Sequence, residues 1–101
     1  HPALLDTIVR LARIRSARAA LRHGSYRPLH VGHRQFAFLR EYGSNRAIVA
    51  VNAADQPSEI EVALPGMERS FEDLLNPGHT VVARNGRMRI SLDPNWGRIL
   101  T

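Results

Sequence analysis

Glu59 and Glu61 stand two residues apart in the run Ser58-Glu59-Ile60-Glu61-Val62-Ala63-Leu64, and two carboxylates at that interval are the first candidates for chemistry in this chain. On an extended strand they share one face, at a spacing not far from the about 5–5.5 Å at which an acid and a carboxylate work as a pair. Such a pair functions only where a sheltered setting raises one of the two pKa values. Here Ile60 and Val62 alternate with them and claim the core side, so both glutamates are read as a solvated face. Glu72 and Asp73 are adjacent and point to opposite faces of a strand, which makes them a poorer pair still.

His30-Val31-Gly32-His33 is the best metal candidate, two imidazoles around a turn. Zinc needs three or four ligands, and no further His, Cys or carboxylate follows at a telling interval; the bland reading is two polar residues flanking a turn. No serine sits in a nucleophile elbow and no glycine-rich loop follows a strand to cradle phosphate. No catalytic residue, metal ligand or cofactor is therefore expected. The aromatics that a sugar-binding platform would use are Trp96, Tyr26 and Tyr42. Trp96 opens a closing strand in a chain whose other large apolar rings are only Phe36, Phe38 and Phe71, so packing is preferred to a platform. Asn52 ends an apolar strand, where its side chain is expected to hold the next turn.

All 14 basic residues are arginine, and the formal charge is +5. A basic balance is one mark of nucleic-acid binding, but these arginines are scattered from Arg10 to Arg98 with little aromatic interleaving, so no nucleic-acid partner is expected. There is no Cys, which excludes disulfides and thiolate metal sites. No apolar run approaches the ~20 residues of a membrane span. The N-terminal residues show no basic region followed by a small-residue cleavage site, so no signal peptide is expected; the cytoplasm is the default compartment, left open. The sequence starts without Met, already inside a helical pattern, as a fragment of something larger would.

The elements that would position these residues change character at Gly24. Residues 3–23 have helical periodicity, with Pro2 suited to the first turn and Gly24 to the C-terminal cap. Asp6, Arg10 and Arg13 line one polar stripe, while apolar residues cover most of the remaining circumference, more than a surface helix needs. After Gly24 the period is two. Strands are expected at Ser25–Val31, Gln35–Tyr42, Arg46–Ala53, Ser58–Leu64, Ser70–Leu75, His79–Ala83, Arg87–Leu92 and Trp96–Leu100, with Asn85-Gly86 as the clearest turn, a type I′ pair. Eight short strands with regular turns predict a mostly β fold, a Greek-key antiparallel sandwich preceded by one N-terminal helix.

The order of the pieces resembles a known family. Leu11-Ala12-Arg13-Ile14-Arg15, then Ala20-Leu21-Arg22-His23-Gly24-Ser25-Tyr26, then Phe38-Leu39-Arg40-Glu41 with Val51-Asn52, then the run from Phe71 to Gly78 and a closing Trp96-Gly97-Arg98-Ile99-Leu100 resemble the C-terminal end of the α-amylase family, glycoside hydrolase family 13. Its bacterial α-glucosidase, neopullulanase and cyclomaltodextrinase-like members are the nearest in pattern. Ala19 stands where that family often has Pro. The resemblance implies that residues 1–23 are the last helix of a catalytic (β/α)8 barrel and residues 24–101 the β-sandwich domain C. It implies that the catalytic carboxylates lie upstream, outside this chain, in a parent acting on α-glucosidic bonds of maltodextrin-like substrates. The expected partners are that barrel, and a second copy through the N-terminal helix. The rival readings are a carbohydrate-binding module for α-glucan and a basic nucleic-acid-binding domain.

Overall fold

Strict alternation of apolar and polar residues sets the architecture. In Arg87–Leu92 every second residue, Met88, Ile90 and Leu92, is buried, and in Ser58–Ala63 the buried pair is Ile60 and Val62. A strand with one apolar side must lay it against another sheet. The computed structural model describes Arg13, Ile14, residues 25–43 and residues 45–101. These contain β1 (Ser25–Val31), β2 (Gln35–Tyr42), β3 (Asn45–Asn52), β4 (Ser58–Ala63), β5 (Ser70–Glu72), β6 (Thr80–Arg84), β7 (Arg87–Leu92) and β8 (Trp96–Leu100).

Two four-stranded antiparallel sheets face each other, with strand orders β1-β2-β3-β8 and β4-β7-β6-β5. The chain changes sheet twice, from β3 to β4 and from β7 to β8, so β3 pairs with β8 in one layer and β4 with β7 in the other. Between the layers lie Leu39, Ile48, Ala50 and Leu100 from the first sheet, and Ile60, Val62, Phe71, Met88 and Ile90 from the second. The side of the sandwich at β8 is stitched shut. Glu72 and Thr101 exchange N–H···O bonds of 3.0 Å each, and Leu74 N donates to Ile99 O at 2.8 Å. In β1 the register slips between Pro28 and His30. Proline has no N–H for the ladder, and the extra residue, Leu29, packs against the core.

The expected two-sheet, eight-strand organisation is what the described residues form. Four strands, β1, β2, β7 and β8, have the expected bounds. The turn at Asn85-Gly86 has positive φ at both residues, 54° and 73°, as a type I′ turn requires. The largest correction is at β5, expected to reach Leu75. It stops at Glu72, because the Asp73 carboxylate takes the N–H groups of Leu75 and Asn76 and bends the backbone away from the ladder. The smaller ones are one-residue shifts in β3, β4 and β6. No helix stands among the elements of the described residues, which are all β. The helix expected at the N-terminus, residues 1–23, lies outside them except for Arg13 and Ile14, which have helical backbone.

Candidate functional site

The residues singled out for chemistry do not assemble into a reacting centre. Glu59 and Glu61 share the outer face of β4, both exposed. Arg87 Nη1 donates to Glu61 Oε1 at 2.8 Å, and Arg89 Nε lies 3.3 Å from Glu59 Oε1. The hydrogen bond from Arg87, helped by the nearby charges of Arg87 and Arg89, holds the Glu61 carboxyl below its ordinary pKa. A general acid needs the opposite shift. Glu72 is exposed and Asp73 buried, on opposite sides of the chain. His30 is half-buried beside exposed His33, and among the described residues no three His, Cys, Asp or Glu side chains are grouped to hold a metal.

The three aromatics are not one platform. Tyr26 is 63% exposed on β1, its ring tilted against Phe38 at 4.9 Å between centroids. Tyr42 is exposed at the end of β2. Trp96 begins β8, at the opposite edge of the sheet, about 14 Å from β1 at three strand spacings. Trp96 is half-buried, packed with Val49 and Leu74 against Ala47, Leu75 and Ile99. Its indole N–H is spent on Asn76 Oδ1 at 2.7 Å.

What the structure does bring together is an apolar surface on the outer face of the first sheet. Phe36 stands opposite Val51, Phe38 opposite Val49, and these in turn opposite Gly97 and Ile99. Residues paired across strands share a face. Phe36 is 44% exposed there, and Val31, opposite Phe36 on β1, is 80% exposed. Within this face lies a shallow cleft of about 250 Å³ lined by Val49, Val51, Leu75, Trp96, Gly97 and Ile99. A Cβ on Gly97 would fall 2.6 Å from Ala50 O, so glycine is what lets β8 lie this close to β3.

A buried polar network braces the edge of that cleft. Asp73 is 1% exposed, and its Oδ1 accepts from the N–H groups of Leu75 (3.0 Å), Asn76 (3.2 Å) and Ile99 (3.3 Å). Its Oδ2 accepts from Asn76 Nδ2 at 2.8 Å and Arg98 Nη1 at 3.0 Å. Asn76 Nδ2 also donates to Gly97 O, and Arg98 Nε to Ser91 O. A buried carboxylate is tolerated when it is paired and fully hydrogen-bonded in this way. The node fixes the loop after β5, the start of β8 and the Trp96 ring in one piece. Asn52, fully buried at the end of β3 and paired there with Trp96, does the same for the adjoining connections. Its Oδ1 accepts from Ala54 N and Gln35 Nε2, and its Nδ2 donates to Gln56 O and Asp93 O. The expectation that it holds the following turn is met, and its tie to Asp93 adds the β7–β8 connection.

Sequence reasoning weighed Asp73 only as half of an adjacent carboxylate pair, and gave Asn76 and Arg98 no role. The available signal was the run Asp73-Leu74-Leu75-Asn76-Pro77-Gly78, in which an Asp ahead of a turn caps the next backbone N–H groups.

The family model described as "Maltogenic Amylase, C-terminal domain" matches residues 26–98. The fold is also similar to solved structures. An α-amylase from Geobacillus thermoleovorans, solved with acarbose, superposes with a TM-score of 0.89 at 16% identity, over 99% of this chain and 23% of that one. An Anoxybacillus α-amylase gives 0.85 at 23% identity, over 97% and 22%. A gamma-CGTase from alkalophilic Bacillus clarkii gives 0.75 at 19%, over 90% and 15%. The chain thus spans a quarter or less of the length of these structures. Among curated proteins there is no match.

Proposed function

Since the chain belongs to the maltogenic amylase C-terminal domain family, the non-catalytic β domain of α-amylase-family enzymes, we propose that it serves a parent enzyme that hydrolyses or transfers α-glucosidic bonds in maltodextrin-like substrates. Residues 24–101 are then the sandwich, and residues 1–23 the helix that joins it to a catalytic barrel. The barrel supplies the reacting carboxylates, and the sandwich covers apolar barrel surface and steadies the whole. The observation that carries this reading is the outer face of the first sheet. Phe36, Phe38, Val49 and Val51 form a contiguous apolar surface on a chain of 101 residues, and contiguous apolar patches mark interaction sites.

The rival reading, an α-glucan-binding module, is weaker, because Trp96 and Tyr26 lie at opposite edges of the sheet and the Trp96 N–H is already engaged. Nucleic acid is not a partner in this reading: Arg87 and Arg89 are matched by Glu61 and Glu59.

An antibody raised against this chain tests the proposal in the source cells. It should detect a polypeptide several times the 11.3 kDa of this chain, and that polypeptide, purified, should turn over maltotriose or cyclodextrin while this chain alone should not. A native polypeptide of this chain's own mass would refute it.

A further inference from the structure

The sheets end at β1 and β8 in the first layer and at β4 and β5 in the second. Of these edges, β4 alone is regular and open. β8 and the segment running on from β5 are bound to each other through Glu72, Leu74, Ile99 and Thr101. β1 carries Pro28 and the register slip beside it, two devices that blunt an edge. β4 has neither: Ser58–Ala63 pairs with β7 without a slip, and Pro57 and Pro65 stand just outside it.

The ladder fixes where the backbone groups of β4 point. Leu64 N donates to Gly86 O at 2.7 Å, in register with the pairs from Ser58–Leu92 to Ala63–Arg87. In an antiparallel pair, hydrogen-bonded positions alternate with open ones. Val62, Ile60 and Ser58 therefore bond to β7, and the N–H and C=O groups of Ala63, Glu61 and Glu59 point outward. The far side of β7 agrees. Ala83 N donates to Arg69 O, away from β7, which makes Arg84 and Arg87 a bonded pair and turns Met88 and Ile90 toward β4. Glu59, Glu61 and Ala63 are exposed, and among the described residues no backbone partner meets their outward groups. Beside this edge lies a cleft of about 390 Å³ lined by Leu29 of β1 and by Glu61, Val62, Ala63 and Arg87.

We propose that the edge of β4 is a binding site for an extended segment of a partner protein, one whose apolar residues alternate with basic ones. Such a segment adds a strand antiparallel to β4; main-chain bonds supply the affinity and alternate side chains the specificity. The residue opposite Glu61 bonds to its backbone and stands beside its carboxylate on the outer face. A basic residue there extends the Arg89–Glu61 row across the sheet. The next residue along turns inward and sets an apolar side chain in the cleft beside Leu29. A second copy of β4 is a poor occupant. Of the two-fold registers that join the outward groups, one sets Glu61 against Glu61 and another sets Glu59 against Glu61, like charges that oppose pairing. The third sets Ala63 against Glu61, which avoids the clash but gains no opposite charge. The site lies on the second sheet and does not depend on what covers the apolar face of the first.

Two fluorescent heptapeptides serve as probes, Thr-Arg-Val-Arg-Val-Arg-Thr and its counterpart with Glu for each Arg, titrated with the full chain by fluorescence anisotropy. The basic peptide should bind about tenfold more tightly, because the charge pairs facing Glu59 and Glu61 change sign. The direction of the backbone groups gives the sharper test. N-methylation of the peptide's arginines, whose N–H groups face β4, should abolish binding. N-methylation of its valines, whose N–H groups face away, should leave binding within about twofold. Ala63→Pro removes an outward N–H and no bond to β7, and should weaken binding about fivefold with Trp96 emission unchanged. The methylated peptides carry the test even if that variant is poorly folded. Absence of binding by the basic peptide at about 1 mM, equal binding of the two peptides, or indifference to which residues are methylated would overturn the proposal. Self-association of the chain that Ala63→Pro abolishes would also overturn it, since a second copy would then hold the edge.

Discussion

Phe36, Phe38, Val49 and Ile99 occupy the outer face of the first sheet, whereas the corresponding positions of the second carry Glu59, Glu61, Arg87 and Arg89. Both sheets are four-stranded and antiparallel, and both bury their other face in the same core. The difference lies wholly in what each offers outward. The second sheet spends its outer side on ion pairs across β4 and β7, which keep it soluble and contribute little to stability. The first leaves Phe36 and Val31 in the open, with Phe38, Val49 and Val51 half-buried beside them. A sheet with one charged side is finished; a sheet apolar on both sides is waiting for a third layer. The contrast marks the outer face of the first sheet as the side open to a further layer.

The contrast should fail most severely at the node that holds β8 in the first sheet. Asp73→Ala removes the acceptor for three backbone N–H groups and two side chains, and leaves Arg98 without its carboxylate partner. Breaking a buried pair from one side costs about 3–5 kcal/mol, so urea denaturation should show most of the stability of a small domain gone. A loss below about 1 kcal/mol would mean that the network is peripheral and the cleft braced by apolar contacts alone.

Gly97→Ala is a gentler probe of the same face. Its methyl group would meet Ala50 O at 2.6 Å, an atom of the backbone that cannot turn aside. Overpacking of this kind costs about 1–3 kcal/mol, and here it should also move Trp96 and change its emission. The matching substitution on the second sheet, Ser91→Ala at an exposed position of β7, should fall within about 0.5 kcal/mol of the parent.

The smallest effect belongs to the charged face. The pKa of Glu61 is depressed by Arg87, so its contribution is present above the ordinary carboxyl pKa and is lost as pH falls through the lower folded value. The slight difference between the parent chain and Arg87→Ala should therefore vanish on acidification, and should shrink in high salt at neutral pH. A difference that grew in acid would mean that Glu61 is not ionised in the folded chain.

Local patterns made much of this legible from the sequence. Alternation located β4 and β7, and Asn85-Gly86 fixed the hairpin between β6 and β7, because side-chain period and turn chemistry are encoded within a few residues. The family, too, was legible, in an ordered set of short runs. What stayed hidden was non-local. That β8 lies between β3 and the segment after β5 depends on contacts between residues far apart in sequence. The outward-facing Phe36 and Phe38 look, by composition, like any core residues. Asp73 sits in a run that reads as strand, and its burial becomes intelligible only once Arg98 is beside it. The outer face of the first sheet is therefore the part of the chain that sequence reasoning located least well, since nothing local separates a ring on it from a ring in the core.

The late arrival of β8 has a consequence for how the domain comes into being. During synthesis seven strands leave the ribosome before it, and the first sheet can extend no further than β1, β2 and β3. Until β8 slots in, β3 keeps an open hydrogen-bonding edge and the loop after β5 has no backbone to clasp. Closure thus waits on a pairing between segments just over fifty residues apart, Ile48 with Leu100, and such long-range closures are slow. In that interval the exposed edge of β3 is open to a neighbouring chain. Conditions that delay completion of the domain, rather than those that weaken its finished core, should be the ones that drive it to aggregate.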